Sequence, residues 1–262
     1  MASAQRISTQ EIAILKEALI GLRGAQFHNV VFPKAALAGI EPSQIGTIVG
    51  TFMDAMIPHL PGLESVGLTK HEGILGEREG YPDYKHKLGY RLELKLLYVD
   101  NAPLGCKKPP TPREPSARLT QKVTIKNVDP AIDAMLLIAY QLQLHADDVE
   151  SVSPTIIDYE VFSMIELIEA RDARLMKEGR WFGNYETPTI LSRVGREKRA
   201  KGVLLDTSSY GRKESEGKDY NEDTNFGKLK RIPHSGLQTF LNKHRISGWD
   251  DPRSGAFPVD KL

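Results

Sequence analysis

Residues 82–99, PDYKHKLGYRLELKLLYV, decide the fold class, because they contain the strongest strand pattern in the chain. Side chains alternate from Tyr90 to Val99, so one face of the predicted strand carries leucines, and Glu93 and Lys95 share the other face. A carboxylate and an ammonium group on an otherwise apolar strand are unexpected, because a buried charge is costly unless it is paired or bound to a metal ion. The pattern therefore predicts a strand that carries chemistry on one face.

The segment just before this strand is predicted to pair with it as a hairpin. A short strand from Asp83 to Lys87 leads into the three-residue turn 87–89, in which Gly89 takes the left-handed position. In that register Asp83 lies opposite Glu93, and directly opposed β-carbons are about 5 Å apart. Two carboxylates this close repel each other without a counter-ion, so the hairpin indicates a cation site. Hard oxygen ligands of this kind suit Mg²⁺ or Mn²⁺.

The rest of the chain alternates between helix and strand patterns, which predicts a mixed α/β layer fold. A capping box of Ser8 and Glu11 begins the first helix. A segment over 130–144, started by Asp129-Pro130, is apolar almost all round, and we expect a helix there, buried against a sheet. The remaining predicted elements are helices over Ser43–Ile57 and Met164–Lys177 and strands over Val66–Ile74, Leu119–Val128 and Thr155–Phe162.

The hairpin resembles the signature of a known nuclease superfamily. Pro82-Asp83, nine intervening residues and then Glu93-Leu94-Lys95 are similar to the PD-(D/E)xK pattern. The flanking elements resemble the α-β-β-β-α-β core of that superfamily, the restriction-endonuclease-like core, over about residues 43 to 162. The resemblance implies an α/β fold with a mixed central sheet flanked by helices, and a single nuclease domain over 1–262 with its core at about 43–165.

The resemblance also implies roles for the hairpin residues. Asp83 and Glu93 would ligate Mg²⁺ (or Mn²⁺), and the carbonyl of Leu94 would face the same ion. Lys95 would position the attacking water and help to lower its pKa, or stabilise charge on the phosphate. The expected catalytic residues are thus Asp83, Glu93 and Lys95, and the expected reaction is hydrolysis of phosphodiester bonds in DNA.

Many nucleases of this kind also place a helix carboxylate near the metal. Asp54 is the acid available on the second helix, but it falls opposite the apolar stripe that we expect to pack into the core, so we do not assign it. That stripe consists of Ile45, Ile48, Val49, Phe52 and Met56. Other acids that the sequence does not distinguish are Glu72, Glu77 and Glu79.

Positive charge is clustered in three places that suit contacts with DNA phosphates. One is the proline-rich segment 101–117, which is typical of an exposed extended arm. The other two lie within 180–262, the part expected to recognise the target and to form a dimer, and one of them is a helix capped by Thr187-Pro188. Candidate phosphate contacts are Lys107, Lys108, Arg113, Arg193, Arg196, Lys198, Arg199, Lys201, Lys228, Lys230 and Arg231, and candidate base contacts are Asn184, Arg193, Asn225 and Arg231. Taken alone, each cluster is more typical of solvated surface.

Composition limits the class of protein. The 262 residues include 35 Lys and Arg against 34 Asp and Glu, for a formal net charge of +1, and 40% are hydrophobic. This balance argues against a disordered chain and against a histone-like protein covered in positive charge. A single cysteine, Cys106, excludes an intramolecular disulfide. Without an apolar run long enough to span a bilayer, we expect a soluble cytoplasmic protein with no membrane partner.

Together these features predict a sequence-specific double-stranded DNA endonuclease that resembles type II restriction enzymes. By analogy we expect a homodimer, since cutting both strands of a palindrome calls for two equivalent sites. One alternative keeps the fold and is a repair, recombination or phage nuclease that acts on structured DNA. A second alternative is a non-catalytic DNA-binding protein, in which Glu93 and Lys95 form a solvated strand face with Arg91 and Lys85 as partners.

Overall fold

The structure is a computed structural model that describes residues 5–40, 42–71, 81–99, 101, 104, 117–120, 123–177, 189–211, 214–223 and 226–244. Within these ranges the α-helices are α1 (Thr9–Ala18), α2 (Lys34–Ala38), α3 (Pro42–Met56), α4 (Met164–Lys177), α5 (Arg193–Ala200) and α6 (Ser235–Lys243). The strands are β1 (Phe32–Pro33), β2 (Leu68–Lys70), β3 (Tyr84–His86), β4 (Arg91–Tyr98), β5 (Asp133–His145), β6 (Asp148–Ser163), β7 (Thr189–Leu191), β8 (Tyr210–Gly211) and β9 (Tyr220–Glu222).

Strands β1 to β6 form one mixed sheet in the spatial order β1-β6-β5-β4-β3-β2. β4 and β5 run parallel, and the other neighbouring strands run antiparallel. The core lies in two layers, one on each face of this sheet. Leu15 of α1 and Val49 of α3 pack in the first layer, and Leu167 of α4 and Leu241 of α6 pack in the second. The predicted α/β class, a mixed central sheet flanked by helices, is therefore confirmed.

Several predicted elements lie close to their predicted bounds. The capping box at α1 is present, since the Ser8 hydroxyl accepts the Glu11 N–H and the Glu11 carboxylate accepts the Ser8 N–H. The hairpin between β3 and β4 closes through Gly89, whose φ is 91°, a left-handed conformation that favours glycine. Strand β4 and helices α3 and α4 also match their predicted positions, whereas β6 contains the predicted strand over Thr155–Phe162 but begins earlier, at Asp148.

Residues 130–144 were predicted as a helix, and this prediction is wrong, because they lie mainly in strand β5. Both faces of the strand are buried: Leu136 packs in the first layer and Met135 in the second. A strand covered on both faces has the same continuous apolar pattern as a buried helix, so the periodicity did not separate the two. Asp129 starts a turn, in which its carboxylate accepts the Ala131 N–H at 3.0 Å.

The order of elements changes as a result. From α3 onward, the described elements follow the order α3-β2-β3-β4-β5-β6-α4. The predicted strand over Leu119–Val128 is also wrong, since its described residues form turns and loops. The buried guanidinium of Arg171 donates to the carbonyls of Thr120 and Val123, at 2.9 Å each, and carbonyls bonded in this way are not free to join a strand ladder.

Helix α3 buries a different stripe from the predicted one. Ile45, Val49 and Met53 are buried, whereas the predicted core residues Ile48 and Phe52 are 42% and 52% exposed. The buried positions are spaced by four, so the helix is rotated relative to the predicted orientation. Because of this rotation, a different flank of α3 faces the start of β3.

The C-terminal part contains one further correction. Helix α5 is capped by Ser192, whose hydroxyl accepts the Gly195 N–H at 2.9 Å. The predicted cap at 187–188 lies outside the described residues, and β7 precedes Ser192. In the part of the chain that the structure describes, no helix is long and apolar enough to cross a membrane.

The parallel pairing of β4 with β5 is anchored at its start by Asp133. This carboxylate is 1% exposed and accepts two hydrogen bonds from Arg91, at 2.5 and 2.7 Å. It also accepts the Tyr81 hydroxyl at 2.7 Å and the Asp129 N–H at 2.9 Å. One buried side chain thus joins the first residue of β4 to the loop that leads into β5.

Replacing Asp133 by alanine should destabilise the protein by about 3–5 kcal/mol, because the Arg91 guanidinium would be left unpaired in a mostly buried position. Urea unfolding followed by circular dichroism measures this change in the free energy of unfolding. Asp147→Ala, which alters an exposed acid at the turn between β5 and β6, is the matched control and should change stability by less than about 0.5 kcal/mol. Equal stability of the two variants would refute the anchoring role.

Candidate metal centre

The predicted catalytic residues meet just before the start of β3, where β4 continues past the hairpin. The register of the hairpin pairs Tyr84 with Leu92 and Lys85 with Arg91, so its continuation places Asp83 opposite Glu93. The Asp83 carboxylate accepts the backbone N–H of Leu94 through Oδ2 at 2.6 Å. The side chain of Asp83 therefore caps the first backbone group of β4 that β3 does not reach.

The carbonyl of Leu94 faces the same edge. In a strand, the N–H and C=O groups of one residue point to the same side, and the Leu94 N–H points toward Asp83. The backbone of β4 thus presents a carbonyl oxygen next to the Asp83 carboxylate. This position agrees with the ligand role that the resemblance assigns to Leu94.

Glu93 and Lys95 lie together on the neighbouring face of β4, as the alternation predicted. The Lys95 ammonium donates to Glu93 Oε1 at 2.5 Å, and the two side chains are only 10% and 18% exposed. The second oxygen of this carboxylate, Glu93 Oε2, is buried and accepts no hydrogen bond from the described residues. A buried carboxylate oxygen without a donor is unfavourable, so it is available to a cation.

Electrostatics at the site favour a bound cation as well. Burial, followed by the negative charge of Glu93, raises the pKa of Asp83 to about 7. Burial on its own would lower the pKa of Lys95, but the carboxylates of Glu93 and Asp83 outweigh it and raise that pKa. Positive charge beside Asp83 would stabilise it as a carboxylate next to Glu93, and Lys95 supplies only one such charge.

Asp54 is the residue that sequence reasoning missed. It lies on the flank of α3 that faces the site, and it lines a cavity of about 250 Å³ together with Asp83, Leu94 and Lys95. The Tyr84 hydroxyl holds it there, donating to Asp54 Oδ1 at 2.7 Å and also to the Asp54 carbonyl. The spacing of Ile45, Val49 and Met53 by four was the signal that could have placed Asp54 correctly.

The cation Lys70 completes the surroundings of Asp54. Its ammonium group lies 2.6 Å from Asp54 Oδ1 and 4.2 Å from the centre of the Tyr84 ring. Asp54 is therefore half-exposed and paired, in contrast to the buried carboxylate of Glu93. This makes Asp54 suited to contact a cation in the cavity from one side rather than to hold it alone.

The donor set fits a small hard cation. The described residues contain no group of three or more His, Cys, Asp or Glu arranged to hold a metal ion. The carboxylates of Asp83 and Glu93 and the Leu94 carbonyl are nevertheless all oxygen donors, and Mg²⁺ is commonly held by one or two carboxylates while it keeps several waters. The cavity leaves room for such waters beside Lys95.

The other candidate acids and the first basic cluster cannot be placed. Glu72, Glu77 and Glu79 lie outside the described residues, and so does the cluster of Lys107, Lys108 and Arg113. The same holds for the candidate base contacts Asn184 and Asn225.

A backbone hydrogen bond places the cluster of Lys228, Lys230 and Arg231 next to the cavity. Leu229 donates its N–H to the carbonyl of Ala117, which lines the cavity, at 3.0 Å. Lys230 is only 3% exposed, so its side chain is a poor candidate for a phosphate contact. Lys228 and Arg231 are partly exposed.

Helix α5 carries the remaining cluster of Arg193, Arg196, Lys198 and Arg199, and Lys201 follows as its C-cap residue. Lys198 pairs with the buried carboxylate of Asp219 at 2.6 Å, next to a second sheet that consists of β7, β9 and β8. Arg193 and Arg199 are exposed, and they stay candidates for phosphate contacts.

Comparisons with protein-family models, with curated proteins and with solved structures found no match to this chain.

Proposed function

We propose that the protein is a Mg²⁺-dependent endonuclease that cuts double-stranded DNA. The observation that carries this proposal is the convergence of Asp83, Glu93 and Lys95 beside the start of β3. One buried oxygen of Glu93 lacks a hydrogen-bond donor in the described residues. A solvated strand face, the alternative for Glu93 and Lys95, would leave both side chains exposed, whereas both are largely buried.

Each residue has a defined part in the proposed reaction. Asp83 and Glu93 would hold the ion through their carboxylates, with the Leu94 carbonyl as a further oxygen donor from the backbone. A bound Mg²⁺ supplies polarisation of the phosphoryl oxygen and activation of water. Lys95 donates to the attacking water, or to a phosphate oxygen as charge develops on it, from a position fixed by its contact with Glu93. Asp54, which lines the same cavity, would contact the ion or its water from the side of α3.

The more specific form of the proposal is a type II restriction enzyme that acts as a homodimer. The PD-(D/E)xK resemblance supports it, together with the segments beyond the core that carry exposed cations on α5 and partly exposed ones near Ala117. A restriction-endonuclease-like core is part of the same proposal. Its meander of β2, β3 and β4, followed by the parallel strand β5, supports that interpretation, although no helix in the described residues connects β4 to β5.

Plasmid cleavage tests the catalytic assignment. With Mg²⁺ the wild-type protein should nick and linearise supercoiled plasmid, and chelation by EDTA should stop the reaction. Asp83→Asn and Lys95→Ala should each lower the rate by at least about 100-fold, because each removes a group that acts on the reacting atoms. Lys85→Ala, an exposed lysine on β3, is the matched control and should cut at the wild-type rate.

A Lys95→Ala variant as active as wild type would show that the catalytic assignment is wrong. Wild-type protein that binds DNA without cutting it in Mg²⁺ or Mn²⁺ would favour the non-catalytic alternative.

Metal binding has a readout that does not depend on activity. Adding Mg²⁺ or Mn²⁺ to EDTA-treated protein should raise its melting temperature, by an amount equivalent to about 2.7 kcal/mol at a hundred times the dissociation constant. Asp83→Asn and Glu93→Gln should lose this rise, and Asp54→Asn should reduce it. Glu150→Gln, which alters an exposed acid on β6, should keep it. A rise of equal size in all four variants would place the metal elsewhere.

Digestion of mapped phage DNA distinguishes a restriction enzyme from a repair or recombination nuclease. A sequence-specific enzyme should yield a fixed set of discrete fragments, because base contacts select one site among many. Cleavage confined to branched or mismatched substrates, with linear duplex left intact, would favour the repair alternative.

A further inference from the structure

The outer edge of β6 is only partly covered, at the side of the sheet away from the candidate metal centre. Strand β1 pairs with Ser151 and Val152 of this edge. The segment 24–27 then bonds to the backbone of Pro154 and Ile156. Beyond Ile156, no strand among the described residues pairs with the outer edge. Within the part of the chain that the structure describes, the second half of β6 is therefore a sheet edge without a strand partner.

The register of the sheet defines which backbone groups this edge presents. The backbone groups of even-numbered residues along β5 face β4. Two bonds show this: the Arg91 N–H donates to the carbonyl of Ile132, just before β5, and the Val99 N–H donates to the carbonyl of Tyr140. The odd positions of β5 therefore bond toward β6, where they lie opposite Asp158, Glu160 and Phe162. The backbone groups of Tyr159 and Val161 consequently point outward.

Local side chains satisfy the outward N–H groups. The Val161 N–H donates to Oε1 of Glu160 at 3.2 Å, and the Tyr159 N–H donates to the carboxylate of Asp158. In each case the acceptor is the side chain of the preceding residue. A strand that offers its carbonyls to these N–H groups would have to displace the two carboxylates, which are also paired with Lys16, Arg23, Lys243 and His244. Acidic side chains on that strand would take over these cations.

A groove lies along this edge. Its walls are α1 in the first layer and α6 in the second, and its volume is about 530 Å³. The residues that give it an apolar floor and one rim are Tyr159, Val161, Phe162, His234, Gly236 and Phe240. A recessed strand edge between two helices is the geometry that accepts an extended peptide as an additional strand.

The charges of the groove differ in exposure. The cations Lys16, Arg23 and Lys243 are 40%, 52% and 62% exposed, whereas the acids Asp158 and Glu160 are 6% and 27% exposed. Each cation is paired with one of these acids, Lys16 with Glu160 at 2.6 Å, Arg23 with Asp158 at 2.7 Å and Lys243 with Asp158 at 2.6 Å. Three cations share two carboxylates, so an entering chain meets an excess of positive charge at the rim. Acidic side chains on that chain would be favoured, and basic ones would be repelled.

We propose that this groove binds an extended, acidic peptide segment of a partner protein, which adds to β6 as an edge strand. A second copy of this chain fits less well, because its own β6 edge is recessed between helices and its exposed cations would meet those of the first copy. Nucleic acid fits less well because the floor offers a strand edge, whose N–H and C=O groups pair with another backbone. The site lies at the opposite edge of the sheet from β3, so an occupant leaves the candidate metal centre open.

Fluorescence anisotropy with a labelled alternating glutamate–valine heptapeptide tests the proposal on the full chain. Val161→Pro removes the outward N–H at a position where proline is tolerated in an edge strand. It should weaken binding by about tenfold, the loss expected for one backbone hydrogen bond. Val161→Ala, which keeps the N–H, should bind within about twofold of wild type. Lys243→Gln should weaken binding of the acidic peptide, and a lysine–valine heptapeptide should not bind to the wild-type protein.

Three results would overturn the inference. The first is no binding of the acidic peptide by wild type at about 1 mM, an affinity too weak for recognition. The second is equal affinity of Val161→Pro and Val161→Ala, with unchanged circular dichroism for both. The third is a DNA duplex that displaces the peptide from the groove and whose binding is weakened by Lys243→Gln but not by Val161→Pro. This result would assign the groove to nucleic acid.

Discussion

The position of β5 between β4 and β6 is the constraint on which the rest of the structure depends. This strand pairs on both edges and is covered on both faces, so it joins the two core layers. The buried carboxylate of Asp133 holds its start against Arg91 at the start of β4. A parallel neighbour fixed in this way sets the register of β4, and β4 carries the residues of the candidate metal centre.

The candidate metal centre follows from a difference in strand length. β3 begins at Tyr84, opposite Leu92, while β4 continues to Tyr98, so no strand among the described residues pairs with this edge of β4 from Leu94 onward. Asp83 caps the first open N–H, and the same arrangement turns the Leu94 carbonyl to the edge. Charge is thus concentrated where the sheet is incomplete, and the surrounding core keeps water from screening it.

The two edges of the sheet use the same chemistry for different purposes. At the edge of β4, the Asp83 carboxylate accepts the Leu94 N–H, which no described strand reaches. Its closeness to Glu93 is the reason to infer a cation site there. On β6, the carboxylates of Asp158 and Glu160 accept the open N–H groups, and cations already surround them. Burial raises the pKa of Asp83 to about 7, whereas bonds from Lys243 and His244 outweigh the effect of burial at Asp158 and hold its pKa near 2. At the β4 edge one lysine, Lys95, lies between the buried acids, whereas at the β6 edge Asp158 alone is paired with Arg23, Lys243 and His244.

The sequence by itself determined the local features: the capping box at Ser8, the left-handed turn at Gly89, the alternation along β4 and the register that sets Asp83 opposite Glu93. These depend on neighbours a few residues apart, and their patterns are specific. Only the tertiary structure decided that 130–144 form a strand and that Asp54 faces the site. An apolar run buried on all sides has no periodicity to read, and the rotation of α3 is set by what it packs against. Both depend on burial against distant segments, which no local pattern records.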